Sequence, residues 1–413
     1  MTLKKIDHCS FCGSHKNDVK KLIVSEEVAI CSNCIDLCNQ LIVEDDNKSV
    51  EQKSETKELK GSLDAIEIVS FLNDHVVGQS SAKKTISVAI ANHYKRINHP
   101  PKNNSFTINK GNVLCVGPTG SGKTLIAKTI AKFLDVPFVV ADATTLTEAG
   151  YVGDDVEGMV AMLVNEANGD VSLAERGIIF IDEIDKIARK SEGASVTKDV
   201  SGEGVQQALL KLIEGTKCRV PATGKRKNSS SDMLEVDTTN ILFIGGGSFV
   251  GIENIISNRI RGTGLGFSAT VKSKESTEDL SQIAPTDLIK FGMLPELMGR
   301  FSTIVHLNVL SLDELVRILS KAKNNYIQQY KHLLKIDGIK LKFTKDALTL
   351  IAQNCIDLKT GARGLQSEIE RVLLPHMFYV SKYLENGISE INITTDLVRE
   401  PKSLIKCCID ERT

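Results

Sequence analysis

Eight consecutive residues, Gly117, Pro118, Thr119, Gly120, Ser121, Gly122, Lys123 and Thr124, carry the spacing G-x-x-x-x-G-K-[ST]. Its glycines let backbone N–H groups close around phosphate oxygens, its lysine reaches the β- and γ-phosphates, and its last hydroxyl binds Mg²⁺. The apolar run 112–116 leads into the loop and a helical pattern over 125–134 leads out of it. The loop therefore sits at a helix N-terminus, where free N–H groups and the helix dipole favour an anion. Asp182 and Glu183 close a second apolar run, 177–181. An acid at a strand's C-terminal tip suits Mg²⁺ held through water, and the next acid is placed to orient and deprotonate an attacking water. Alone, the pair also fits a strand followed by a solvated acidic turn. Behind a phosphate loop it points to ATP hydrolysis that drives movement, and away from a kinase.

Cys9 and Cys12, then Cys31 and Cys34, form two C-x-x-C pairs with 18 residues between them. Each pair can occupy two corners of a tetrahedron around Zn²⁺. A redox dithiol pair and an iron–sulfur cluster are the other uses of this spacing. Four thiolates leave no open coordination position, so the zinc is structural rather than catalytic. Cys38 and His8 lie nearby as spare ligands.

Three kinds of segment must position these groups. Residues 1–43 are the cysteine module, too small for a core of its own, so the metal should largely fold it. Residues 44–61 are a charged linker whose only sizeable apolar side chains are Val50 and Leu59. From 62 to 308, apolar runs at 112–117, 137–141, 177–182, 240–245 and 302–307 alternate with helical patterns. That alternation predicts an α/β domain with a parallel sheet. A small helical domain follows over 309–400, with a capping box at Ser311 and Glu314, a helix start at Thr344, and an apolar stripe of Leu365, Ile369, Val372 and Leu373. Residues 401–413 form a tail. The tracts 225–232 and 268–281 are polar loops.

Composition excludes several classes. A net charge of −1, with 41% apolar and 25% charged residues, provides no global attraction to nucleic acid or to an anionic membrane. The longest uncharged apolar stretch, 241–252, is glycine-rich and short of the roughly 20 residues a spanning helix needs. The opening residues lack the apolar core of a signal peptide. With no presequence either, the default location is a bacterial-type cytoplasm, and of ten cysteines five fall between Cys9 and Cys38, a clustering that reads as reduced with a metal site.

The stretches 141–157, 178–190 and 199–216 closely resemble the ClpX family of AAA+ unfoldases, and the resemblance extends over nearly the whole chain. It implies a homo-hexamer that binds unfolded or tagged proteins and adaptors and serves a ClpP-type peptidase. Tyr151 and Val152, between Gly150 and Gly153, match the pore loop, where a bulky apolar paddle grips any polypeptide; a turn with Tyr151 tucked into the core is the plain alternative. Residues 195–207 match a second pore loop, with Asp199, Val200 and Ser201 near its tip. Lys225, Arg226 and Lys227 match a basic entrance loop, with Asn228 where the family carries histidine. Leu265, Gly266 and Phe267 match the loop that enters clefts on the peptidase. Arg300 corresponds to the arginine finger and Arg363 to the sensor arginine. Val76 and Val77 fall in the box beside adenine, preceded by His75 where tyrosine is common. The cysteine module corresponds to a dimerising module that docks adaptors. A nucleic-acid motor using the zinc module, an HslU-type unfoldase and a remodeller working without a peptidase are the competing readings. Against the first, residues 1–43 mix lysines with acids and hold one aromatic, Phe11.

Overall fold

A computed structural model describes residues 7–25, 28–35, 37, 63–100, 106–147, 154–189, 202–221, 233–262, 280–323 and 325–403. Tyr151, Val152, Arg226, Lys227, Leu265, Gly266 and Phe267 lie outside the described residues, as do the linker and most of the tail. The chain divides into two units, 1–62 and 63–413.

The first unit is a hairpin. Strand β1 (Leu22–Val24) pairs antiparallel with β2 (Ala29–Cys31), setting Leu22 opposite Cys31 and Val24 opposite Ala29. Its buried centre is Cys9, Cys31 and Cys34, with Val19, Leu22 and Ile30 packed around them.

The second unit opens with α1 (Ala65–His75), capped by Asp64, whose carboxylate accepts the Ile66 N–H at 3.0 Å. Helix α2 (Ser80–Asn98) follows. The central sheet is built from β3 (Val113–Val116), β4 (Phe138–Asp142), β7 (Ile178–Asp182), β10 (Leu242–Gly247) and β11 (Thr303–His306), ordered β11-β3-β10-β7-β4. Every pair in it is parallel. All five arise from the apolar runs expected to form strands. The run at 240–245 starts its strand two residues late for a physical reason. Asp237 caps a 3₁₀ turn over Thr238–Asn240, accepting the Thr239 N–H at 2.9 Å, and the strand begins only after that turn is satisfied. Helix α3 (Lys123–Leu134) follows β3 and packs against β7 and β10. Two short strands, β5 (Leu146–Thr147) and β6 (Asp154–Asp155), pair in parallel, and α4 (Gly158–Glu166) follows. Helix α5 (Glu203–Glu214) leads into an antiparallel hairpin of β8 (Lys217–Pro221) and β9 (Met233–Asp237). Helices α6 (Ile252–Gly262), α7 (Pro285–Phe291) and α8 (Pro295–Arg300) complete this part, whose core runs from Leu114 to Phe301.

A separate core, from Leu310 to Val398, belongs to α9 (Leu312–Lys321), α10 (Tyr326–Ile336), β12 (Lys340–Phe343), α11 (Lys345–Asp357), α12 (Gly364–Phe378), α13 (Val380–Glu385), β13 (Glu390–Ile393) and α14 (Thr395–Arg399). The capping box closes α9 as its pattern requires: Ser311 Oγ accepts the Glu314 N–H at 3.3 Å, and Glu314 Oε2 accepts the Ser311 N–H at 2.9 Å. Thr344 caps α11, accepting the Ala347 N–H at 3.2 Å. Leu365, Ile369, Val372 and Leu373 are all buried in this core. The parallel pairing of β12 with β13 was not anticipated from sequence; it ties residues about fifty positions apart, such as Leu341 to Ile391.

Candidate active site

The parallel sheet brings the C-terminal tips of β3 and β7 to one edge, with β10 between them. From the tip of β3 the chain enters the phosphate loop, and Lys123 is the first residue of α3. Gly120 and Gly122 both take left-handed backbone, at φ 77 and 101. At Gly120 a side chain has no room as well, since a Cβ would lie 2.9 Å from Thr360 O and 3.1 Å from Ala362 N. Glycine there is what lets the turn Gly361–Arg363 of the helical core lie against the loop.

Lys123 Nζ donates to Gly117 O at 2.7 Å and to Pro118 O at 3.0 Å. Burial lowers its pKa, the charges of Asp182, Cys115 and Asp185 oppose that shift, and Arg363 adds to it. Arg363 thus sits close enough for its charge to be felt at the phosphate loop. Ser121 Oγ is buried with no hydrogen-bond partner among the described residues. A buried hydroxyl without a partner, a lysine resting on loop carbonyls and a left-handed glycine turn together suit a polyphosphate, whose oxygens would satisfy the hydroxyl and draw the ammonium off the carbonyls.

The metal side is built from α3 and β7. Thr124 Oγ1 lies 3.3 Å from Asp182 Oδ2, as two groups sharing one hydrated cation would. Asp182 Oδ1 accepts the Glu183 N–H at 3.0 Å. Glu183 is exposed and left-handed, at φ 55 and ψ 33, so the chain kinks sharply at the strand tip. A non-glycine residue held there costs on the order of 1–3 kcal/mol, a strain that clusters at functional positions.

Sequence reasoning overlooked Asp185. It is buried, accepts Ser248 N–H and Oγ–H at 3.1 Å each, and joins the tip of β7 to the end of β10. The acid two places after Glu183 was visible, but its partner 63 residues on was not.

Arg300 is exposed at the end of α8. Its Nε and Nη2 both donate to Glu214 Oε1, at 3.0 and 2.6 Å, at the far end of α5. Val76 is buried and Val77 half-buried, and Val76 O accepts the buried Lys83 Nζ at 2.5 Å. His75 stacks on Phe71 with ring centroids 4.5 Å apart.

In the first unit the four cysteine sulfurs lie within 4.8 Å of one another. Cys9 and Cys34 Sγ are 3.9 Å apart, and Cys12 and Cys31 Sγ 3.7 Å. A tetrahedron with Zn–S of about 2.3 Å has edges of about 3.8 Å, which these two separations match. Backbone hydrogen bonding at Cys12, with further help at Phe11 and Cys31, lowers the Cys9 thiol to about 6, which prepares a thiolate. Cys38 lies outside the described residues, and His8 is taken up in a β-bridge with His15.

A groove of about 1070 Å³ lies away from the phosphate loop, between α4, α5 and β8. Leu146, Asp155, Gly204 and Pro221 are among the residues that line it. These four lie within three residues of the segments 148–153, 190–201 and 222–232, in which Tyr151, the tip of the expected second pore loop at 199–201 and Arg226 fall; the end of that expected loop, 203–207, is instead the start of α5.

Comparison with known proteins gives a consistent picture. A family model described as AAA domain (Cdc48 subfamily) matches residues 108–304. One described as ClpX C4-type zinc finger matches 7–44, and the C-terminal, D2-small domain of ClpB protein matches 310–394. The ATP-dependent Clp protease ATP-binding subunit ClpX of Treponema denticola is 48% identical over 410 residues, covering 98% of this chain and 97% of that protein.

Proposed function

The chain belongs to the ClpX family, and from that membership we propose that it hydrolyses Mg-ATP to unfold proteins and pass them to a ClpP-type peptidase. It is an AAA+ ATPase and itself no peptidase. The observation that carries the mechanism is the convergence of Lys123, Thr124, Asp182 and Glu183 at one sheet edge, under a turn of the helical core that holds Arg363.

Residues Gly117 to Thr124 hold the triphosphate, and Val76 and Val77 border the adenine. Thr124 and Asp182 hold Mg²⁺, which when bound neutralises charge on the transferred phosphoryl group. Glu183 orients the attacking water and takes its proton, a role its exposed, kinked position favours. Arg363 relates nucleotide state to the helical core. Arg300 serves the site of a neighbouring subunit in a hexamer; its pairing with Glu214 holds the guanidinium within its own chain until that neighbour presents charge.

Tyr151 and Val152 grip the threaded polypeptide, and Arg226 and Lys227 attract carboxylate-ended tags at the entrance. What supports both is that described residues near the ends of both segments, Leu146, Asp155 and Pro221, line one groove. Leu265, Gly266 and Phe267 dock on the peptidase. The zinc module, residues 1–43, dimerises and receives adaptors, supported by the exposure of Phe11, Ile23, Val24 and Val28 on so small a unit. Beyond it we assign a linker at 44–61, the ATPase domain at 62–308, the helical domain at 309–400 and a tail at 401–413. The two separate cores support the division between the last two domains. No helix among the described residues is long and apolar enough to cross a membrane, and we place the protein in a bacterial-type cytoplasm.

The test is degradation of a stably folded, tagged reporter by the full chain with ATP, with and without a ClpP-type peptidase. ATP-dependent loss of reporter should require both proteins. Glu183→Gln should bind ATP yet turn it over about 10²–10⁴-fold more slowly. Brisk ATP consumption with the reporter left folded under both conditions would overturn the reading.

A further inference from the structure

Gln79 ends the segment that carries Val76 and Val77, yet nucleotide binding gives it no task. Its backbone is left-handed, at φ 54 and ψ 37, and so is that of Gly78 at φ 69. Glutamine seldom adopts this conformation, so something must hold it there. Its side chain is buried, with Oε1 accepting the Asn308 N–H at 3.0 Å. From the same carboxamide, Nε2 donates to Asn308 O at 2.8 Å and to Ser121 O at 3.4 Å. Both backbone groups of Asn308 are thus held by one planar group that also reaches the phosphate loop. Asn308 lies between Leu307, whose N–H bonds Val116 O at 2.8 Å beside that loop, and Leu310, the first residue of the helical core. A Cβ at Gly78 would meet the carboxylate end of Glu314, in the α9 capping box, and that side chain would have to shift.

We propose that Gln79 is a positioning residue that couples the phosphate loop to the connector at Asn308, and through it to the helical core that presents Arg363. The carboxamide plane moves as one body. Its contact with Ser121 O lies near the outer limit of a hydrogen bond, so a small displacement of the loop makes or breaks it and redistributes the Nε2–H donors between Ser121 and Asn308. Filling the loop with phosphate is such a displacement, because Ser121 Oγ and its neighbours then acquire partners. This inference rests on the reading of the chain as an ATP-driven unfoldase, in which the helical core must respond to nucleotide.

Two variants of the full chain test it. Gln79→Asn keeps a carboxamide on a residue that accepts left-handed backbone, but is one methylene too short to span Ser121 and Asn308. Gln79→Glu keeps the length and sets an acceptor against two carbonyls. The readouts are ATP consumed per folded client unfolded, and amide exchange of a peptide covering 307–311 with and without a slowly hydrolysed ATP analogue. Both variants should raise ATP per client at least about fivefold, the low end of ordinary coupling, and the exchange of that peptide should cease to respond to nucleotide. If both variants melt lower yet keep the wild-type ratio and the nucleotide response, Gln79 is merely structural and the proposal fails. Should Gln79→Glu not fold, Gln79→Asn decides. Should the wild type leave its client folded, the unfoldase reading fails while the exchange response still tests the coupling.

Discussion

The cysteine module and the ATPase unit each enclose a buried centre, but the centres differ in kind. In the module the fully enclosed side chains are Cys9, Cys31 and Cys34, with Ala29 beside them, while Phe11 is 74% exposed and Ile23 and Val24 stand half in water. In the ATPase unit, strands β3, β7 and β10 are buried along nearly their whole length, with helices packed against the sheet. A few dozen residues cannot exclude enough apolar surface to offset their ordering entropy, whereas several hundred can. One unit is therefore held by ligand geometry and the other by area.

Removing the metal should produce the largest contrast. Chelation withdraws on the order of 10–16 kcal/mol of binding free energy from a zinc-folded unit. Amide protection in β1 and β2 should vanish, while the thermal transition of the ATPase unit stays where it was. Protection that survives chelation would show that the module has a core of its own and end the contrast.

Side-chain truncation should separate the units next. Ile130 on α3 is fully buried, and Ile130→Ala should cost about 2–5 kcal/mol in the ATPase unit, measured as a lower denaturant midpoint at unchanged slope. Ile23→Ala in the module, at a site 52% exposed, should change zinc-bound stability by no more than about 0.5 kcal/mol. Equal costs at both sites would mean that area matters as much to the module as to the larger unit.

Acid provides the finest distinction. His93 is held down to about 3 by burial first, then by the charges of Arg96 and Lys110, against an ordinary value of 6.5. Between those values the unfolded chain binds a proton that the folded chain refuses. Its contribution to stability is therefore full above 6.5 and lost as pH falls toward 3. Titrating the melting temperature of the ATPase unit from pH 7 to 4 should show that loss, and His93→Gln should flatten the slope. An unchanged slope would place the acid sensitivity elsewhere. The module should respond to acid in a different way, by releasing metal as its thiolates protonate.

Much of the site was visible in residue order because its parts are local. The phosphate loop, the acids at the tip of β7 and the paired C-x-x-C motifs each span a few residues, and the physics that selects them acts at that range. The five strands of the central sheet were visible for a similar reason, since strands covered on both faces are continuous apolar runs. What escaped notice crosses long stretches of chain: Asp185 with Ser248, Arg300 with Glu214, the turn 361–363 against Gly120, and Gln79 with Asn308 across 229 positions. The hairpin of β8 and β9 went unnoticed too, because its strands alternate and the polar segment between them resembles any loop.

Residue order alone therefore named the candidates for chemistry: a phosphate-loop motif, an acid pair at a strand tip and four cysteines with metal-ligand spacing. It also specified which segments would be strands, since local spacing and apolar content suffice for that. Folding decided the strand order β11-β3-β10-β7-β4, the carboxylate partner of Arg300 and the packing of the turn 361–363 against Gly120. Those outcomes depend on which distant backbone groups meet in three dimensions, and a hydrogen bond between residues hundreds of positions apart leaves no periodic trace along the chain.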